Sequence, residues 1–83
     1  MLPYFYLHVR AGDQLTPDDE GIDLPDFSAA QREAVQAARE LLAEAIKSAK
    51  SEVPEAFVIA DEDGRTLDTI PLAAVLPEPL KKK

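Results

Sequence analysis

Residues 28–50, SAAQREAVQAARELLAEAIKSAK, constrain the fold more than any other part of the chain. Apolar side chains recur there every three or four residues, which is the spacing of one stripe along an α-helix. The stripe consists of Ala34, Val35, Ala38, Leu41, Leu42, Ala45, Ile46 and Ala49. Charged and amide side chains occupy the other side. The segment therefore predicts one amphipathic helix that packs its apolar side on a second layer.

The start and the end of this helix have their own signals. Ser28 and Gln31 are spaced as in a capping box, in which the hydroxyl accepts a first-turn amide proton and the glutamine reaches back. Pro54 biases the residue before it away from helical geometry, so the helix is expected to end before this point. If the stripe is buried, truncating Leu42 or Ile46 to alanine is expected to cost about 2 to 5 kcal/mol.

The segment before the helix predicts two strands. Residues 4–10, YFYLHVR, alternate so that Phe5, Leu7 and Val9 face one way, and this apolar set is the one expected to be buried. Gly, Pro and Asp dominate the following stretch, which is interpreted as a connection. A short second strand is expected over residues 21–24, ended by the proline that follows.

The segment after the helix predicts a hairpin. Residues 55–61 and 66–70 are short and apolar, and Gly64 stands between them where a hairpin turn needs positive φ. Pro71 is expected to end the last strand, and residues 71–76 are expected to form a final helical turn or to cap the core.

The order strand, strand, helix, strand, strand predicts an α+β fold. A small antiparallel sheet with one amphipathic helix packed on one face forms a two-layer sandwich. Residues 1–76 are expected to form a single domain and residues 77–83 a flexible C-terminal tail. The chain has no cysteine, so no disulfide supports the small core, and a homodimer would bury more surface.

The charge of the chain indicates which kinds of partner it favours. The net charge is -7, and residues 1–80 carry six basic against sixteen acidic residues, or -10. Such a surface repels phosphate, so direct nucleic-acid binding is disfavoured and a basic protein partner is favoured. No apolar run approaches the roughly 18 residues of a membrane span, and the N-terminus has no features of a secretory leader. We therefore expect a soluble, cytoplasmic protein without membrane contact.

A helix on one face leaves the other face of the sheet open. That face is expected to display Tyr4, Tyr6 and His8, a row of aromatic side chains of the kind enriched at protein interfaces. Aromatic residues on a strand are also good strand formers whose polar tips can be solvated, so the row by itself leaves both interpretations open. His8 is the only histidine and has no nucleophile or second metal ligand beside it in the sequence.

Two acidic clusters, at 18–20 and 61–63, are the other candidates for chemistry. The second precedes Gly64 as in a calcium loop, but aligning this glycine with the sixth EF-hand position leaves isoleucines where the first and last ligands belong. Asp61 and Asp63 remain weak candidates for a divalent metal, and turn chemistry explains the same residues more simply. No phosphate loop, nucleophile elbow or zinc spacing occurs, so an enzyme is disfavoured and no cofactor is expected.

Several segments together resemble a family of short bacterial proteins catalogued only as a domain of unknown function. The resemblance rests on Tyr4 to Arg10 with Gly12 and Asp13, on Asp19, Glu20 and Gly21 before Leu24, Pro25 and Asp26, on Glu33, Ala34, Ala38, Arg39 and Leu42, and on Asp61 to Leu67. It covers nearly the whole chain. The resemblance implies a fold but no known activity.

A more distant similarity is to the N-terminal domain of HicB-type antitoxins. The similarity rests on Tyr4, Phe5 and Tyr6, on residues 21–26, and on the capped helix with Glu33 and Ala34. It implies, by analogy of fold alone, a neutraliser of a basic toxin.

Three functional hypotheses follow. The first is a small, acidic, non-enzymatic module that binds another protein, or a second copy of itself, through the open face or a free strand edge. The second is a metal-dependent hydrolase or nucleotide-handling enzyme that uses the acidic clusters. The third, antitoxin-like, hypothesis is a special case of the first.

Overall fold

A computed structural model describes residues 3–48 and 53–77. Within these ranges the chain forms five strands, one long helix and a short 3-10 helix: β1 (Tyr4–Ala11), β2 (Gln14–Thr16), β3 (Ile22–Asp23), α1 (Phe27–Lys47), β4 (Ala56–Ala60), β5 (Thr66–Pro71) and η1 (Leu72–Val75). The last residues of the expected helix, 49 and 50, and the expected tail after Pro77 lie outside the described residues.

The strands form one antiparallel sheet in the order β2-β1-β4-β5, and β3 also pairs with β1. In the middle of the sheet His8 pairs with Val58, which in turn pairs with Thr69. Helix α1 packs on the side of the sheet that carries Phe5 and Phe57. The predicted α+β sandwich of a small sheet and one helix is therefore confirmed.

Strand β2 is an element that the sequence interpretation missed. Gly12, with φ of 63°, and Asp13 form a two-residue turn, so that Ala11 pairs with Gln14 and the chain folds back at once. A glycine that adopts positive φ at a two-residue turn is a strong hairpin signal. The first hairpin is thus β1-β2, and the strand expected over residues 21–24 is only the two-residue β3.

The helix cap differs from the predicted capping box. The N-cap is Asp26, whose Oδ1 accepts a hydrogen bond from Ala29 N at 2.9 Å, and the helix begins at Phe27. Aspartate is as good an N-cap as serine, and it stands two residues earlier. Gln31 does not reach back to a cap, because its Nε2 donates to Asp68 Oδ2 on β5 at 3.0 Å.

The core between helix and sheet is built on small helix residues. Ala30, Ala34 and Ala38 are fully buried against Phe57 and Ile59. Because alanine projects only a methyl group, the helix axis lies close to the sheet and the larger residues of the stripe are displaced toward its borders. The expectation that Ile46 is buried is wrong, since 71 % of this residue is exposed.

The second hairpin follows the sequence pattern closely. Strands β4 and β5 pair in antiparallel fashion around a turn in which Gly64 has φ of 85°. Pro71 is the last residue of β5, and η1 then buries Leu72 in the core. The predicted hairpin and the final helical turn are confirmed.

Candidate functional site

The face of the sheet opposite α1, here called the open face, is not covered by any other helix or strand of the described chain. Cross-strand partners share a face, so the register assigns its members directly. They are Tyr4, Tyr6, His8 and Arg10 of β1, Leu15 of β2, Asp23 of β3, Ala56, Val58 and Ala60 of β4, and Thr66, Thr69 and Pro71 of β5. The small residues of β4 are buried between larger neighbours on both sides. A ligand on this face would therefore meet mainly the side chains of the flanking strands.

The predicted aromatic row is present on this face. The ring centroids of Tyr4 and Tyr6 are 6.4 Å apart with the planes tilted by 35°. Those of Tyr6 and His8 are also 6.4 Å apart, at 23°, so the two rings are stacked. Pairs at this separation interact favourably beyond their area burial. Alternation along β1 thus places the three candidate residues together, while binding of a partner to them stays a prediction.

Asp18 anchors the connection between β2 and β3 to this row, a role that sequence reasoning missed. Its Oδ2 accepts a hydrogen bond from Leu7 N at 3.1 Å, in the gap where neither β2 nor β3 pairs with β1. Its Oδ1 accepts from Glu20 N at 3.1 Å and from Gly21 N at 3.2 Å. One carboxylate therefore satisfies a strand amide and closes the following turn.

The hydrogen bond between Asp18 and His8 selects the tautomer of the neutral imidazole. The backbone N of Asp18 donates to His8 Nδ1 at 2.9 Å. An accepting Nδ1 carries no proton, so the neutral ring carries its proton on Nε2. His8 is thus held by the loop through one nitrogen, and its other nitrogen is a hydrogen-bond donor.

The environment of Asp18 also changes its acidity. Burial alone would raise the pKa of this carboxyl. The backbone N–H groups of Leu7, Gly21 and Glu20, together with the nearby His8, outweigh burial and hold the pKa below the ordinary value of 3.8. A carboxyl whose pKa is lower in the folded state stabilises the fold above its unfolded pKa, and this contribution disappears as the pH falls through the folded pKa.

We therefore predict that Asp18→Asn destabilises the fold by about 1 to 3 kcal/mol at pH 7, since a neutral amide is a poorer acceptor for three N–H groups. The difference from the wild type is expected to shrink as the pH falls below about 4, where the unfolded wild-type carboxyl binds a proton, and to disappear once the pH passes the lower folded pKa. Urea unfolding at several pH values measures both effects. The matched control is Asp19→Asn at the exposed neighbouring position. A difference for Asp18→Asn that is equally large at every pH would contradict the assignment.

Gly21 is the place where the loop touches the aromatic row. Its φ is 73°, and a Cβ built on it would lie 2.7 Å from Cε2 of Tyr6 and 3.0 Å from Cδ2 of Tyr4. Both rings therefore pack directly on the glycine backbone. The row is held on one side by its own strand and on the other by this loop.

Two exposed leucines extend the open face, and neither was singled out from the sequence. Leu15 pairs with Arg10 on the open face and is 50 % exposed. Leu67 is the extra residue where the β4-β5 register shifts, opposite Ala60, and is 40 % exposed. Side chains two residues apart on a strand share a face, so Leu67 lies on the open face with Thr69. The face consequently carries exposed apolar side chains near both of its ends.

The weak metal candidates serve the second hairpin. Asp61 Oδ1 accepts hydrogen bonds from Asp63 N and Arg65 N, each at 2.9 Å. Asp63 lies 3.8 Å from the Arg65 guanidinium in a solvent-exposed ion pair, which contributes little stability. Nowhere in residues 3–48 and 53–77 do three or more His, Cys, Asp or Glu residues come together to hold a metal ion. These contacts favour turn chemistry and lend no support to the metal-dependent hypothesis.

The free edge of β5 is poorly suited to pairing with another strand. Leu72 N donates to Glu55 O, so amide positions 69 and 71 point away from β4 toward the edge. Thr69 N is already bonded to Asp68 Oδ1 at 2.8 Å, and Pro71 has no N–H. Occupied amides and a proline are common means by which edge strands avoid association.

A helix on one face of a five-stranded antiparallel sheet, with the other face open, defines a two-layer α+β domain. The chain belongs to the family described as Domain of unknown function (DUF6894), whose family model matches residues 4–73. The match begins at the first residue of the aromatic row and includes the Asp18 loop, the helix and both hairpins. It confirms the resemblance to a domain of unknown function.

The other comparisons add no relative. None of the curated proteins and none of the solved structures matches the chain. The similarity to HicB-type antitoxins is not shown by any of the comparisons. Among the residues that the structure describes, no helix combines the length and the apolar character needed to cross a bilayer.

Proposed function

We propose that the chain is a non-enzymatic protein-interaction module that binds a partner protein through the open face. The observation that carries this proposal is the distribution of exposed apolar side chains. Of the six large apolar residues that the described chain exposes, three lie on this face around the aromatic row, namely Tyr4, Leu15 and Leu67, and the other three, Phe27, Ile46 and Val53, lie apart in α1 or after it. Exposed apolar residues gathered on one face mark contact sites more often than scattered ones do.

The rigidity of the row supports the same proposal. Tyr6 and His8 are held by stacking, by contact with Gly21 and by the hydrogen bond from Asp18. Aromatic side chains that are already fixed lose little conformational entropy when a partner binds, which makes them effective anchors. The face is favoured over the edge of β5, because that edge offers few free amides to a partner strand.

The charge of the chain indicates the kind of partner. With a net charge of -7, the domain attracts basic proteins and repels acidic ones over long distances. A basic partner is therefore proposed, and neutralisation of a basic toxin is one form of this function. Self-association through the same face is the alternative, and it has to overcome repulsion between two acidic copies. A cytoplasmic location belongs to the same proposal.

We predict that Tyr4→Ala weakens binding of the partner about tenfold or more, because a partly exposed aromatic anchor is lost. The partner is first identified by affinity purification with the full chain, and its Kd is then measured with purified proteins. Sedimentation of the chain alone tests self-association.

The matched control is Phe27→Ala, because Phe27 is an aromatic residue of similar exposure, 36 %, at the start of α1. We expect its Kd to stay within about twofold of the wild type, a difference well below 1 kcal/mol. Binding that survives Tyr4→Ala but is lost with Phe27→Ala would locate the interface elsewhere.

A further inference from the structure

A groove runs along α1. Around Arg32 it is lined by helix residues alone, and from Val35 onward it lies between the helix and the edge formed by β5 and η1. We call it the helix groove. Three adjoining cavities lie along it, and Arg39 lines all three. Its helix wall includes Arg32, Val35 and Ile46, and its other wall includes Ile70 and Val75. The groove is separate from the open face and uses a different part of the chain.

The charge of the helix groove is opposite to that of the whole molecule. Among the described residues, the charged side chains that line it are Arg32 and Arg39, although the chain has a net charge of -7. Two carboxylates stand at its margin, since Asp68 accepts a hydrogen bond from the lining residue Gln31 and Glu40 accepts one from the lining residue Gln36. In the described ranges 3–48 and 53–77 the one ion pair joins Arg65 to Asp63. Within those ranges, therefore, no carboxylate neutralises either groove arginine.

The arrangement of charge around α1 keeps the groove basic. Glu33, Glu40 and Glu44 lie about 100° around the helix from the two arginines, given 3.6 residues per turn. The helix thus has a basic side toward the groove and an acidic side away from it.

The groove becomes apolar toward the end of the helix. Ile46 lines this end together with Leu42, Val75 and Leu76, and it is 71 % exposed. Arg32, Arg39 and Ile46 follow one another at intervals of seven residues, or about 10.5 Å along the helix axis. Two positive charges and one apolar contact are therefore evenly spaced on one line.

We propose that the helix groove binds a peptide segment of a partner protein in the polyproline II conformation, in which two acidic residues three positions apart are followed, three positions later, by an aliphatic residue. Polyproline II has three residues per turn, so residues three positions apart share a side, and they lie about 9 Å apart, close to the spacing of Arg32, Arg39 and Ile46. Each guanidinium can take a carboxylate with two parallel hydrogen bonds, and the aliphatic side chain covers Ile46. This proposal is independent of binding at the open face.

The same observations disfavour two other ligands. A nucleic acid gains affinity from many phosphate contacts, and two arginines on a strongly acidic protein do not supply them. A fatty acid has a single carboxylate, so it leaves one guanidinium without a partner. The experiment below tests the peptide first and treats binding of a fatty acid or a nucleic acid in its place as a result against the proposal.

The probe is a labelled seven-residue synthetic peptide with glutamate at its first and fourth positions, leucine at its seventh and serine elsewhere. Fluorescence anisotropy with the full chain is expected to give saturable binding that added salt weakens. Replacing both glutamates of the peptide by glutamine removes both charge-assisted pairs, and Arg39→Gln removes one of them. Each change is expected to raise the Kd of the peptide about tenfold or more. Ile46→Ser is expected to weaken binding as well.

The matched control is Arg10→Gln, which removes the same charge from the open face. It is expected to leave the Kd of the peptide unchanged within about twofold, and thermal unfolding followed by circular dichroism checks that each variant is folded. If Arg10→Gln and Arg39→Gln weaken peptide binding equally, the effect comes from the overall charge of the protein, and the proposal is wrong.

Three further outcomes would also overturn it. The first is the absence of saturable binding up to about 1 mM peptide. The second is binding of dodecanoate, but not of the peptide, that Arg39→Gln abolishes, which would assign the groove to a lipid. The third is peptide binding only in a Glu78→Gln, Leu80→Ser double variant, which would assign the groove to residues of the chain itself.

Discussion

Ile59→Ala is expected to lower the free energy of unfolding by about 2 to 5 kcal/mol. Ile59 is fully buried in β4, between β1 and β5, and packs in the core beneath α1. Removing its side chain beyond Cβ leaves a cavity that two neighbouring strands and a helix cannot fill. A domain of this size has a net stability of about 3 to 5 kcal/mol, so a large part of the variant is expected to be unfolded in water. Urea unfolding followed by circular dichroism measures the change.

The matched control makes the same chemical change at Ile46, which is 71 % exposed. Ile46→Ala is expected to change the stability by no more than about 0.5 kcal/mol, because little apolar area is lost and alanine favours the helix. Similar losses in the two variants would mean that α1 packs on the sheet through a different side. The pair therefore tests the packing of the helix directly.

The helix shows what periodicity can and cannot predict. Spacing alone predicts a helix over almost the observed residues, because the stripe is a local property of the sequence. The stripe is broad, however, and only contact with the sheet decides which part of it is buried. The helix approaches closely through Ala34 and Ala38, which places the larger Ile46 at the border. Which side of the stripe is buried depends on contacts with the sheet, and the local spacing of residues holds no information about those contacts.

The first hairpin was missed for a related reason. The turn at Gly12 has the residue type that a two-residue hairpin needs, but β2 is only three residues long, which is too short for its alternation, QLT, to distinguish a strand from a loop. Its pairing with β1 depends on the backbone more than on side chains. Short edge strands of this kind carry little sequence signal and are easily interpreted as loops.

The candidate site was predicted in part. Alternation along β1 is enough to place Tyr4, Tyr6 and His8 on one face, because strand geometry has a fixed period of two. The turn made by Asp18 was also open to prediction, since aspartate often accepts hydrogen bonds from amides two and three residues later. The hydrogen bond between Asp18 and Leu7, eleven residues away, could not be predicted. It fills a gap along β1 that exists only once β2 and β3 are both paired with β1.

Gly21→Ala is the second substitution with a large expected effect, a loss of about 2 to 4 kcal/mol of unfolding free energy. The residue has φ of 73°, which any L-amino acid adopts at a cost of about 1 to 2 kcal/mol. In addition, the new Cβ would lie 2.7 Å from the Tyr6 ring, so the ring or the loop has to move. Movement of the loop would also strain the hydrogen bond from Gly21 N to Asp18.

Gly12→Ala separates the two causes, because Gly12 has φ of 63° and a methyl group at this position would meet no atom within 4 Å. It is expected to show the backbone cost alone, about 1 to 2 kcal/mol. The chain has two tyrosines and no tryptophan, and both tyrosines contact Gly21, so the tyrosine band in near-ultraviolet circular dichroism reports this contact directly. We expect this band to change in Gly21→Ala and to be preserved in Gly12→Ala. Equal losses of stability with an unchanged band in both would mean that the loop does not hold the aromatic row, and the open face would then lack the rigidity that favours it as a binding surface.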